Sequence, residues 1–477
     1  MLTLSNTYLQ LPSVFYQRIA PTPVGDPQLV LLNHSLAALL GIEASDLQSA
    51  EGLAILAGNS IPAQATPLAL AYSGHQFGHF VPLLGDGRAV LLGELTTNDN
   101  ISYDLQLKGS GRTPFSRRGD GRAALGPMMR EYIIGEALHA LGIPATRTLA
   151  VVRSGEIVLR DRPLPGGIQA RIARSHIRVG TFEYAATLGD NRALRALAEY
   201  AIARHYTDLV EGDDRFYRFA EMIFRRQAAL VAQWMLVGFI HGVLNTDNVA
   251  ISGESLDFGP CAFMNRYDPS TVFSSIDQFG RYAYGAQPNI TQWNLARLAE
   301  SLMPLFDTNL DVALTRSQEL VDSFRAMYFE QWNNGLRDKL GLVTHESDDS
   351  LLIKDLFDTM LRERLDYTAT FRSLCGEQLF PISEALGSWH AAWSARIDQS
   401  RNIRAREETL AYLGRVNPAV IARNLLVEEA LARGVDHGDF SFATRLVEAL
   451  KDPFTPHPRY SAVDSVDDSE YRTFCGT

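Results

Sequence analysis

The spacing of apolar and polar residues changes character several times along the chain. Residues 1 to about 65 alternate short apolar runs with Pro and Ser, and His34-Ser-Leu-Ala-Ala-Leu-Leu has helical character, an extension expected to pack on something else. From Leu83 two apolar runs flank Gly85-Asp86-Gly87, which predicts a hairpin. Tyr103, Leu105 and Leu107 alternate with polar neighbours and predict a third strand ending at Lys108. A polar, glycine-rich loop over 109–126 follows. It leads into a helix expected over 127–141, with Pro at its start and Gly142-Ile143-Pro144 stopping it. Residues 148–152 and 157–160 read as two further strands around Ser154-Gly155. Five strands with one helix inserted after the third make a small mixed lobe.

After residue 190 helical spacing takes over. A long helix is expected over 218–240, running into His241-Gly-Val-Leu-Asn-Thr-Asp-Asn248, and 249–259 reads as a tight hairpin turning at Ser252-Gly253. From 292 to about 450 the apolar residues recur at helical intervals, as at Leu295, Leu298, Leu302 and Leu305, and the tail after Pro453 is rich in Asp, Ser and Pro. An α+β fold follows, divided into an N-terminal extension (1–65), a mixed lobe (66–165), a second lobe with the candidate loops (166–290) and a helical C-terminal region (291–477).

At 477 residues, 46% hydrophobic and 21% charged, the chain can bury a large core and has room for two to four domains. Its net charge of -11 argues against a nucleic-acid platform, which would show a basic excess. Cys261, Cys375 and Cys475 are too few and too far apart for a disulfide framework or a four-ligand zinc site. No stretch reaches 18 uninterrupted apolar residues, and the first 24 lack a basic segment followed by an apolar one. A soluble cytoplasmic protein with no membrane partner is expected.

The most specific chemistry lies in His241…Asn248 followed by Asp257-Phe258-Gly259. Protein kinases hold Mg²⁺ with an Asn that closes a His-x-Asp-x-x-x-x-Asn loop and with the Asp of an Asp-Phe-Gly turn. Asn248 and Asp257 are therefore candidate metal ligands, for an ion that prefers oxygen and completes its shell with phosphate and water. Where a kinase places its catalytic Asp, this chain has Val243, which cannot accept a proton. Asp247 beside Asn248 is either a relocated base or a loop-stabilising acceptor. Lys108 at a strand end and Glu131 in the next helix match the strand lysine and helix glutamate of a kinase. Arg171, Arg174 and Arg178 can present guanidinium groups to phosphates, although a solvated basic strand is the competing reading. Gly-Asp-Gly-Arg-Ala occurs twice: the copy at 85–89 stands where a kinase has its glycine-rich loop, without the full Gly-x-Gly-x-x-Gly, and the copy at 119–123 reads as a second polar loop near the nucleotide, although each Gly-Asp-Gly by itself is more often just a turn. His75 and His79 lack an acidic or Cys partner in sequence and read as structural.

These residues together resemble the selenoprotein O family, kinase-fold protein AMPylators with bacterial members. The resemblance rests on Tyr72-Ser-Gly-His-Gln-Phe-Gly, Leu84-Gly-Asp-Gly-Arg, Leu107-Lys-Gly-Ser-Gly, Gly119-Asp-Gly-Arg-Ala, His241-Gly-Val-Leu-Asn-Thr-Asp-Asn and Leu256-Asp-Phe-Gly-Pro. It implies a protein-kinase-like two-lobed fold in which ATP lies reversed, so that AMP passes to a protein Ser, Thr or Tyr hydroxyl and pyrophosphate leaves. It further implies that Lys108, Arg171 and Arg178 grip the buried phosphates, with Glu131 holding Lys108. Asn248 and Asp257 would bind Mg²⁺ or Mn²⁺, Asp247 would accept the proton, and Gly85, Gly87, Arg88, Asp120 and Gly121 would line the nucleotide. UTP could replace ATP. The family's eukaryotic members carry selenocysteine near the C-terminus, which makes Cys475, with Cys261 as its candidate partner, a candidate redox switch. A γ-phosphate kinase using Asp247 as base and a silent nucleotide-binding scaffold are the rival readings.

Overall fold

The computed structural model describes residues 2–400, 402–464 and 467–473. In chain order its strands are β1 (Tyr16–Arg18), β2 (Gln28–Leu32), β3 (Leu68–Leu70), β4 (Gly74–Gln76), β5 (His79–Val81), β6 (Ala89–Thr96), β7 (Ser102–Lys108), β8 (Ala123–Ala124), β9 (Arg147–Leu159), β10 (Pro163–Ala173), β11 (Phe239–Ile240) and β12 (Ala262–Phe263). The main sheet runs β1-β3-β6-β7-β10-β9-β2, with β8 added to β10. Its pairings are antiparallel. With the helices that follow, the fold is α+β.

The period of two along β7 decides what each face of the sheet carries. Leu105 and Leu107 join Val90, Leu92, Ile168 and Ile172 in a core closed by Leu36, Leu47 and Ile55 of the N-terminal helices. Gln106 and Lys108 therefore point the other way, and the register places Arg171 of β10 opposite Gln106. A row of polar side chains thus lies on the inner face of a buried sheet. The N-terminal segment covers the outer face and also adds β1 and β2 to the sheet.

Helix Leu125–Ala140 enters directly from β8 and packs on β9 and β10, while helices Asn424–His437 and Ser441–Leu450 pack on its far side. The central helix Arg215–Val237 is flanked by Gln287–Phe306 and Leu310–Leu340. It stops three residues short of the expected end because Gly238 adopts the left-handed conformation, φ 73°, that closes a helix. Among the described residues no helix is long and apolar enough to cross a membrane.

Three sequence expectations are corrected. Leu83-Leu84 is not a strand arm: the Leu84 and Gly85 amides donate to the Tyr72 carbonyl, and the partner of β6 is β7. The Gly-Asp-Gly turn faces inward because the Asp86 carboxylate accepts the Leu70 amide at 3.1 Å and the Gln106 side-chain amide at 3.0 Å. The two short strands around Ser154-Gly155 are one strand, β9, whose register shifts against β10. β10 itself, hidden in the sequence by Pro163, Pro165 and two glycines, runs through the boundary expected at 165/166.

Candidate active site

The inner face of the sheet, helix Leu125–Ala140 and the two loops after the central helix surround a cleft of about 960 Å³. At its floor Lys108, ending β7, pairs with Glu131 from the second turn of the helix. Lys108 Nζ also lies 2.6 Å from Asp257 Oδ1, and Arg171 Nη1 lies 2.6 Å from the same oxygen. Arg171 Nη2 is held by Gln106 Oε1 at 2.5 Å. Arg178, just ahead of helix Val179–Thr187, donates to the Asp247 carbonyl at 2.9 Å and stacks over the Tyr72 ring at 4.3 Å. Its Nη1 is 3.7 Å from Asp257 and its Nη2 is 4.0 Å from Asp86.

Three cations thus converge on carboxylates in a mostly buried space, where unscreened charges interact strongly. Burial opposes ionisation of Asp257, but Lys108, Arg171 and Arg178 hold its carboxyl well below the usual carboxylate range. Asp86 has weaker help: burial pushes it up to about 6 against the pull of Arg178. The cluster is not saturated. Arg178 Nη2, Arg171 Nε and Glu131 Oε2 are buried without a hydrogen-bond partner among the described residues. Unsatisfied guanidinium nitrogens beside a cleft are what an anionic ligand would complete.

The short turn Thr246–Asn248 carries Asp247 and Asn248. Burial pushes Asp247 up to about 6, in opposition to Arg178, close to neutrality as a proton acceptor requires. Asn248 spends its amide nitrogen on the Val243 carbonyl at 2.9 Å, which orients its oxygen as the free group. Asp257 has φ 63°, an uncommon left-handed conformation for a non-glycine residue and one that marks functional loops. Among the described residues no cluster of three or more His, Cys, Asp or Glu side chains could enclose a cation by itself. Asn248 and Asp257, both lining the cleft, fit instead a hard cation that takes two protein oxygens and completes its shell from phosphate and water.

The rim is built from the two Gly-Asp-Gly-Arg copies. Thr113 Oγ1 donates to the Asp86 carbonyl at 2.6 Å, and Ser116 Oγ donates to the Gly87 carbonyl, so the 109–122 loop clasps the first copy. Gly85 is obligatory: a Cβ there would lie 2.3 Å from the Phe115 ring. Gly121, at φ 70°, presses equally close to Gly111. Asp120 is exposed and paired with Arg160 at 2.9 Å, while Arg88 is half-buried beside it.

The structure therefore brings Gly85, Gly87, Arg88, Lys108, Asp120, Gly121, Glu131, Arg171, Arg178, Asp247, Asn248 and Asp257 to one cleft. It adds Tyr72, Gln76, Asp86 and Asn245 to the lining. Asp86 was visible inside the Gly-Asp-Gly motif, but only the fold shows its carboxylate turned inward. Arg174 is displaced from the floor and sits over Tyr103 at 5.5 Å. His75 pairs with Glu183 between Phe80 and Trp293, whereas His79 is exposed on β5 opposite Gln76, so the two histidines do not converge. Cys261 is buried, its thiol donating to the Phe258 carbonyl and pushed by burial up to about 12. Cys475 lies outside the described residues.

The chain is similar in sequence to known proteins. A family model described as protein adenylyltransferase SelO matches residues 1–451. A protein nucleotidyltransferase YdiU of Anoxybacillus flavithermus is 54% identical over 99% of this chain and 98% of its own length. The protein of the same name from Geobacillus kaustophilus is 52% identical with the same coverage. That of Halalkalibacterium halodurans is 49% identical over 98% of this chain and 96% of its own.

Proposed function

The chain belongs to the protein adenylyltransferase SelO family and is a protein nucleotidyltransferase, and from that premise we propose how its cleft moves AMP from ATP to Ser, Thr or Tyr hydroxyls of protein substrates. The observation that carries the proposal is the buried trio Lys108, Arg171 and Arg178 with an unfilled guanidinium position. Cations at this depth suit the β- and γ-phosphates, leaving the α-phosphorus toward the open side, where Asp247 stands. The acceptor oxygen attacks the α-phosphorus, the bond from it to the bridging oxygen breaks, and pyrophosphate leaves with the electron pair. The hydroxyl proton passes to the Asp247 carboxylate. Val243, buried and aliphatic, leaves no base at the position that serves a γ-phosphate in kinases.

Lys108 and Arg178 would offset charge on the departing pyrophosphate, and Glu131 would hold the Lys108 ammonium toward it. A Mg²⁺ or Mn²⁺ ion held by Asn248 and Asp257 would neutralise phosphate charge. Gly85, Gly87, Arg88, Asp120 and Gly121 would line the nucleoside side, and UTP would serve by the same chemistry. In this reading the sheet with helix Leu125–Ala140 is one lobe of a kinase-like fold and the helices after residue 178 form the other. The Lys108–Glu131 pair bridging β7 and that helix supports the likeness.

The test is to supply purified protein and a cell extract with Mg²⁺ and either α- or γ-labelled ATP. Label on protein from the α position alone is expected. Label from γ would return the chain to ordinary kinases, and label from neither would leave a nucleotide-binding scaffold.

A further inference from the structure

The motif Tyr72-Ser-Gly-His-Gln-Phe-Gly contributes no phosphate-binding cation, yet its hairpin, β4–β5, is pressed onto the loop that carries Asp247. The His75 amide donates to Thr246 Oγ1 at 2.7 Å, and the Phe77 amide donates to Asn245 Oδ1 at 3.0 Å. Phe77 adopts φ 51° to do so, a left-handed conformation uncommon for a non-glycine residue. The residues on either side of His75 meet the carboxylate itself. A Cβ on Gly74 would lie 2.7 Å from Asp247 Oδ1 and 3.0 Å from its Cβ, closer than side-chain carbons approach one another. Gln76 Nε2 donates to Asp247 Oδ2 at 3.4 Å. Oδ1 is buried with no hydrogen-bond partner among the described residues, whereas Gln76 lines the cleft with Asp247.

We propose that Gly74 and Gln76 are positioning residues for the Asp247 carboxylate, Gly74 by leaving room for Oδ1 against the hairpin backbone and Gln76 by fixing Oδ2 toward the acceptor hydroxyl. The torsion that turns a carboxylate has broad, weak minima, so an unheld Asp would offer its oxygens in many directions. A base must sit within hydrogen-bond reach of the proton it takes, and a displacement of about 1 Å can cost roughly a hundredfold in rate. The two residues supply opposite constraints, absence of bulk on one oxygen and a donor on the other. The inference rests on Asp247 being the proton acceptor.

The experiment is a double-mutant cycle on the full chain. It reads the initial rate of label transfer from α-labelled ATP to cell-extract protein as ATP is varied. Gly74→Ala and Gln76→Met should each lower the limiting rate ten- to a hundredfold and leave the half-saturating ATP concentration within about twofold. In an Asp247→Asn background neither should cause further loss, because there is no base left to position. Gln76→Glu, equal in size but an acceptor where a donor is needed, should lose at least as much and guards against a packing defect in the Met variant. The same fold-loss in both backgrounds, or a change confined to half-saturation, overturns the positioning role. Parental activity in Asp247→Asn alone would instead overturn the assignment of the base.

Discussion

Two clusters of buried arginine and aspartate in this molecule use the same pieces and differ in one respect. In the C-terminal helices Asp349 accepts Arg396 Nε at 2.7 Å on one oxygen, and Arg337 Nη1 at 2.8 Å with the Glu346 amide at 3.0 Å on the other. The other guanidinium donors find the Thr344 and Leu342 carbonyls and Ser400 Oγ, and among the described residues no atom of the three side chains is buried without a partner. In the cleft, Arg171, Arg178 and Glu131 each keep one buried atom without a partner among the described residues, and the cluster opens on a large cavity. The first arrangement is a completed staple. The second is incomplete, and in the proposed reading an anion completes it, so the sign of a binding site is not buried charge but buried charge left unsatisfied beside a space.

The sharpest way to break this contrast is the same substitution in both clusters. Asp257→Ala should lower transfer of α-label about a thousandfold or more, since it removes the proposed metal ligand and the carboxylate that orders Lys108 and Arg171. Single-turnover labelling measures it, and a near-parental rate would mean that the floor is not where phosphates bind. Asp349→Ala should show the reverse pattern. Breaking a buried pair leaves Arg337 and Arg396 uncompensated and should cost about 3 kcal/mol in urea unfolding, with transfer per folded molecule unchanged. A loss of transfer without a loss of stability there would erase the distinction between staple and site.

The cleft was far more legible in the sequence than the fold around it. The Lys108, Glu131, Asn248 and Asp257 positions could be read because each sits at a recognisable junction: a strand end, a helix start, a loop closure and an Asp-Phe-Gly turn. Arg171 was found as part of a basic run, but its strand was not, because β10 opens with Pro163 and Pro165 and carries Gly166 and Gly167, which locally signal a turn. The hairpin assigned around Asp86 failed for a related reason. Gly-Asp-Gly has the right turn chemistry, yet here the carboxylate binds Leu70 and Gln106 from other strands, a tertiary contact that no local pattern reveals. The role of the 72–78 motif was hidden altogether, since its partners Asn245, Thr246 and Asp247 lie some 170 residues away.

Between staple and site stands a third kind of buried carboxylate, and it gives the smallest but cleanest effect. Glu254 is buried and among the described residues accepts only neutral donors, the Arg174 amide at 2.9 Å and Ser252 Oγ at 2.8 Å. The Arg174 charge helps it from nearby and the Asp104 charge opposes it, and burial pushes its carboxyl up to about 7. Its folded pKa therefore lies above the unfolded value. The folded state binds the proton more tightly, the group's contribution is fully present below the unfolded pKa, and stability is lost as pH rises through about 7. Glu254→Gln keeps an acceptor oxygen but cannot ionise. The variant should match the parent near pH 5 and exceed it by about 2 kcal/mol near pH 8, on a scale of roughly 1.4 kcal/mol per pKa unit. Urea unfolding at the two pH values measures the difference. A constant offset between them would show that Glu254 is charged in the fold at both, and that two neutral donors with the nearby Arg174 charge suffice to hold a buried carboxylate here.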